Sequence, residues 1–88
     1  MLTAAQIRKL RTAPLTGPNK VKLAFELAGV TQVYVADLLG TSQSWVSDVV
    51  RGAYSDLPLE SSRAWAQLFG VGIEDLFPAR QDSERVSA

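Results

Sequence analysis

The sequence predicts an all-α fold: a compact five-helix domain over residues 16–78, preceded by an extra basic N-terminal helix in residues 1–15 and followed by a polar tail at 79–88. Three observations predict it. Apolar residues recur at helical spacing in segment after segment, and no stretch alternates as a strand does. Capping residues and glycines bracket these segments at helix-length intervals. Finally, 88 residues with 47% apolar content suffice for one small core and are too few for two.

The first segment opens with Thr3-Ala4-Ala5-Gln6, the form of a capping box in which the Thr and Gln side chains satisfy each other's backbone donors. Ile7 and Leu10, with Ala4, form one narrow apolar stripe before Pro14 ends the helix. Thr16-Gly17-Pro18-Asn19 reads as a turn that puts Pro18 at the first position of a second helix. That helix carries Val21, Ala24, Phe25 and Ala28 inward and stops at Gly29. Thr31 caps a third helix, with Val35, Leu38 and Leu39 inward, small Ala36 at a close crossing and Gly40 as the stop. Thr41 or Ser42 caps a fourth, whose inward residues are Val46, Val49 and Val50. A loop from Ala53 to Leu57 and then Pro58 lead to a fifth helix, from about Leu59 to Phe69. It buries Leu59, Ala64, Trp65, Leu68 and Phe69 and stops at Gly70. A short last helix, Ile73 to Phe77, closes the core with Leu76 and Phe77, and the tail ARQDSERVSA is expected to be disordered.

Composition excludes several classes of function. The chain has no Cys and no His, which removes disulfide stapling, Cys/His metal sites and Ser-His or Cys-His catalysis. There is no glycine-rich phosphate loop and no nucleophile beside a base. The close carboxylate pair Glu74-Asp75 sits early in a short helix, where it complements the dipole. Neither an enzyme nor a cofactor is expected. No run is long enough to span a membrane and the N-terminus lacks the order of a secretory signal, so a soluble cytoplasmic protein is expected.

Net charge is zero and the pI about 6.1, a mild argument against nucleic acid as partner. The distribution qualifies it. Residues 1–22 hold Arg8, Lys9, Arg11, Lys20 and Lys22 with no acid, and every carboxylate lies beyond them. This basic segment either supplies phosphate attraction, with Lys20 a backbone contact, or is a solvated helix face.

The third and fourth helices, VTQVYVADLLGTSQSWVSDVVRG from Val30 to Gly52, form two short helices about a tight turn, a unit that fits the DNA major groove. The outer face of the fourth carries Gln43, Ser44, Ser47, Asp48 and Arg51. Gln suits a bidentate contact with adenine, and Ser serves as donor or acceptor. Gln43 and Ser44 are candidate base contacts, with helix capping as the alternative. Ser47 lies one turn on. Asp48 opposes phosphate unless it accepts from a cytosine amino group or pairs with Arg51. Arg51 is a candidate phosphate clamp or a surface ion pair. Trp45 has a weak case for core packing, because Val46 and Val49 already define the inward face; its alternatives are a thymine methyl, the sugar backbone or a protein partner. Tyr34 and Tyr54 can donate to phosphate.

Over roughly residues 20–78 the chain resembles the lambda repressor and Cro family of helix-turn-helix regulators, also called XRE. The resemblance rests on Thr31-Gln32, Ala36, Leu39-Gly40, Ser42-Gln43-Ser44, Val46, Arg51-Gly52 and the close LFGVGIEDLFP, in the family's order and spacing. Asp48, Trp45 and Val50 depart from its pattern. The resemblance implies that Gln32 contacts a phosphate and braces Gln43, that Thr31 and Tyr54 lie along the DNA backbone, and that double-stranded operator DNA is the partner. On this basis the chain is expected to be a sequence-specific regulator, a repressor binding as a homodimer to half-sites about 34 Å apart. Ile7 and Leu10 are the candidate dimer seam. The alternative keeps the fold and makes the chain an antitoxin or anti-repressor, with Trp45 anchoring a protein partner.

Overall fold

The computed structural model describes residues 1–54 and 57–78 and holds six α-helices among them, with no strand. They are α1 (Ala4–Thr12), α2 (Val21–Ala28), α3 (Gln32–Leu39), α4 (Gln43–Val50), α5 (Leu59–Phe69) and α6 (Ile73–Leu76). The tail at 79–88 and part of the predicted loop, at 55–56, lie outside the described residues.

The local signals set most of these bounds. Thr3 and Gln6 form the expected capping box at the start of α1. The Thr31 and Ser42 hydroxyls each accept one backbone N–H, from Tyr34 and Trp45, at 3.1 Å, satisfying donors that a helix start leaves unpaired. Gly29, Gly40 and Gly70 end α2, α3 and α5 in the left-handed conformation, which costs a glycine little. The predicted start of α2 is corrected. Pro18 precedes the helix, which begins at Val21 because the Asn19 side chain accepts the Val21 N–H at 3.0 Å.

A run of aromatic rings fills the centre. Trp65 is fully buried, with ring centroids of Phe25 and Trp45 at 6.0 Å and Phe69 at 6.5 Å. Val21, Ala24, Val35, Val46, Val49 and Leu76 complete the core around it. Two inward assignments from the periodicity are corrected: Leu38 is 47% exposed and Ala64 is exposed, whereas Ser62 and Ala66 are buried on α5. Both shifts arise because an eight- or eleven-residue helix offers several plausible stripes, and the neighbouring helix selects one. Trp65 Nε1 has no hydrogen-bond partner among the described residues, a cost of about 1–3 kcal/mol set against the burial of its whole ring system.

The largest correction concerns α1. Leu10, expected at an outer seam, has no exposed surface and belongs to the core; Ile7 is half-buried. Four further contacts fix the helix. The Leu2 N–H donates to Phe69 O at 3.3 Å, and Gln6 Nε2 donates to Leu27 O at 2.7 Å. Lys20, expected at phosphate, is buried, and its Nζ donates to Leu10 O at 2.9 Å and Arg11 O at 3.4 Å, capping α1. An ammonium taken out of water needs such acceptors, and carbonyls at a helix C-terminus also offer the negative end of the dipole. Finally, Arg11 meets Asp75 in a two-pronged ion pair at 3.0 and 3.2 Å, and Asp75 also accepts the Gly72 N–H at 2.9 Å.

Burial pushes the Asp75 carboxyl up, but the Arg11 hydrogen bond, the Gly72 N–H and the charges of Arg11 and Lys20 together hold it below the ordinary carboxylate value. A group whose folded pKa is depressed adds stability above its unfolded pKa and loses it as pH falls through the folded value. Asp75→Asn is therefore expected to lower the urea midpoint at neutral pH, with the gap to the unmodified chain narrowing below about pH 4. Leu10→Ala is expected to cost about 2–4 kcal/mol of stability in the same measurement, whereas a seam residue would alter the sedimentation coefficient and leave stability nearly unchanged.

Candidate nucleic-acid interface

The α3–α4 unit turns on Gly40. Its φ of 67° lets the Gly40 N–H reach Asp37 O at 3.2 Å and the Thr41 N–H reach Ala36 O at 2.9 Å, which reverses the chain within two residues. Ser42 then serves as the α4 cap, so Gln43 and Ser44 are the first two helical residues and both are exposed. Their side chains are not occupied in capping. Ser47 and Asp48, one turn on, are half-buried, and Val46 and Val49 hold the opposite face in the core.

Asp48 is neutralised within its own helix. Arg51 Nε donates to Asp48 Oδ1 at 3.1 Å, and Nη2 meets the same oxygen. Arg51 keeps 68% of its side chain exposed against 29% for Asp48, so the cation is the outer member of the pair. That lowers the repulsion an isolated carboxylate would exert on phosphate. Of the five cations in residues 1–22, Lys20 and Arg11 are engaged internally. Arg8, Lys9 and Lys22 are exposed and in no ion pair among the described residues.

Trp45 is placed differently from the expectation that core packing is unlikely for it. Its half-buried ring stacks on Trp65 at 27° between ring planes and lies 6.4 Å from Tyr54, which is 44% exposed. The position is inward because Trp45 is one residue before Val46 and a large ring reaches back over the preceding turn. Thr31 is exposed with its hydroxyl used as the α3 cap, Gln32 beside it is half-buried, and Tyr34 is 51% exposed. No hydrogen bond joins Gln32 to Gln43 among the described residues.

One contributor was not singled out from sequence. Asn19, read there only as a turn residue, donates its Nδ2 to Val49 O at 2.8 Å and so holds the last turn of α4. Beside it, Pro18 lies against Gly52, where a Cβ would overlap the proline ring. A Gly at Arg51-Gly52 reads locally as a helix stop, and nothing nearby in the sequence names its partner.

Two helices about a left-handed glycine, the second capped and presenting a polar outer face, are the geometry of a helix-turn-helix DNA-binding domain. A helix-turn-helix family model matches residues 21–76, from the first residue of α2 to the last of α6, leaving α1 outside. The chain belongs to the lambda repressor/Cro-like, or XRE, family of helix-turn-helix regulators. Neither the curated proteins nor the solved structures compared with it include a match.

Gly52 has φ 77°, so Gly52→Ala combines left-handed strain with a clash against Pro18. It is expected to lower stability by about 2 kcal/mol or more, read as a drop in thermal midpoint. Gly29→Ala, with open space around its Cβ position, is expected to cost only the strain.

Proposed function

We propose that the protein is a repressor that binds a two-fold symmetric operator as a homodimer, with α4 as the recognition helix. The observation that carries this reading is the exposure of Gln43 and Ser44 at the N-terminal end of α4 while Ser42 serves as cap. In the helix-turn-helix docking mode these are the side chains that meet base edges. Ser47 and Asp48 follow one turn deeper, and Arg51, Tyr54, Thr31 and Gln32 line the DNA backbone. Dimerisation has an energetic motive: one eight-residue helix reaches few bases, and a second half-site roughly doubles the binding free energy before association costs. Repression is steric, two recognition helices in successive major grooves excluding another protein from the site. The reading needs no cofactor and places the work in the cytoplasm.

The protein-partner reading, an antitoxin or anti-repressor, rests on Asp48, Trp45 and zero net charge. Asp48 is paired and Trp45 is stacked on the core, which takes away two of its three grounds and leaves the net charge.

The test is selection of bound duplexes from a randomised pool, followed by titration of the winner at two salt concentrations. A two-fold symmetric motif with half-sites one helical turn apart is expected; no enrichment refutes operator binding. On the selected site Gln43→Ala is expected to cost about 1–3 kcal/mol and to relax one position of the motif. Arg51→Ala should weaken all duplexes alike and lower the salt slope by about 0.9. Trp45→Ala is expected to lower the thermal midpoint, whereas a partner anchor would leave it unchanged.

A further inference from the structure

We infer that Asn19 is a positioning residue for sequence readout: its hydrogen bond to Val49 O sets the tilt of the recognition helix against α2. This rests on the operator reading above. Asn19 is half-buried and bonded on both sides of its amide, Oδ1 accepting from Val21 N at 3.0 Å and Nδ2 donating to Val49 O at 2.8 Å. One side chain therefore starts α2 and holds the end of α4, 30 residues away in sequence.

The far end of α4 has its own supports, the Gly40 turn and the Trp45–Trp65 stack. At the near end, besides Val49 in the core, the contacts across to the 13–19 linker are the Asn19 bond and Pro18 against Gly52. A cleft of about 480 Å³ flanks this joint, lined by Thr16, Pro18, Asn19, Lys22, Leu23 and Val50. Leu23 and Val50 pack on the core from one wall of this cleft, and the Asn19 amide adds the directional constraint that apolar contact does not supply. An eight-residue helix is about 12 Å long, so a tilt of about 10° displaces its tip by roughly 2 Å. Hydrogen bonds to base edges tolerate about 0.5 Å. The displaced tip is the Asn19 end of α4, so loss of the bond degrades readout by Ser47 and Asp48, which lie toward that end, while the longer-ranged attraction between charge and phosphate is largely kept.

The two bonds are separable. Asn19→Asp keeps the acceptor for Val21 N and replaces the donor with an oxygen facing a carbonyl. Asn19→Ser keeps a short acceptor and does not span to Val49. Both variants, as full chains, are measured for thermal midpoint, for affinity to random duplex across salt, and for affinity to the motif selected by the unmodified chain. The expected result is midpoints within a few degrees of the unmodified chain, discrimination between motif and random duplex lowered about tenfold or more in both variants, and random-duplex affinity and salt slope unchanged in Asn19→Ser, which adds no charge. Full discrimination in either folded variant overturns the role of Asn19 alone. Unfolding of both also overturns it, because the residue then serves the fold as a whole. An unmodified chain that enriches no motif refutes the operator reading, and the specificity role falls with it.

Discussion

The buried ammonium of Lys20 is the interaction on which the rest of this domain depends. Placing a lysine head group under the surface is costly unless acceptors surround it, and here the C-terminal carbonyls of α1 supply them. The same residue's backbone N–H donates to Leu76 O at 2.8 Å, so one residue joins the end of α1, the start of α2 and the end of α6. Its neighbours continue the joint, Asn19 to the end of α4 and Pro18 to Gly52. Three consecutive residues thus connect four helices, and α4 takes its orientation from them.

The N-terminal helix is consequently part of the domain. The family match begins at residue 21, yet Leu10 fills the core and Arg11 reaches across to Asp75. A small domain gains from such an addition, because an 88-residue chain buries a modest share of its surface and each extra buried side chain counts for a large part of net stability. Arg11 and Lys20 also show how a basic segment can be spent internally: two of its five cations are engaged in structure before any phosphate approaches.

On the outer face of α4 the electrostatics are restrained. Arg51 and Asp48 neutralise one another, and the leading residues Gln43 and Ser44 are uncharged. Uncharged hydrogen-bonding groups distinguish base edges, whereas fixed positive charge raises affinity for every sequence. On the operator reading proposed above, such a surface is weighted toward discrimination, which demands a rigidly placed helix. The stack of Trp45 on Trp65 at one end and the Asn19 bond at the other give α4 two supports about its short axis.

The sequence by itself determined the six helices and nearly all their ends, because caps, glycine stops and helical stripes act between residues three or four apart: Thr3 with Gln6, Thr31 with Tyr34, Ser42 with Trp45. It also exposed the polar face of α4, since Val46 and Val49 leave one other side. Only the tertiary structure decided the fates of Leu10, Lys20, Trp45 and Asn19. Leu10 looked like a surplus stripe because its partners lie in later helices. Lys20 looked like free charge because its acceptors belong to the helix before it. Asn19 and Arg11 find their partners 30 and 64 residues away. No local pattern encodes contacts of that separation; they exist once the helices have packed and the core has chosen which face of each to cover.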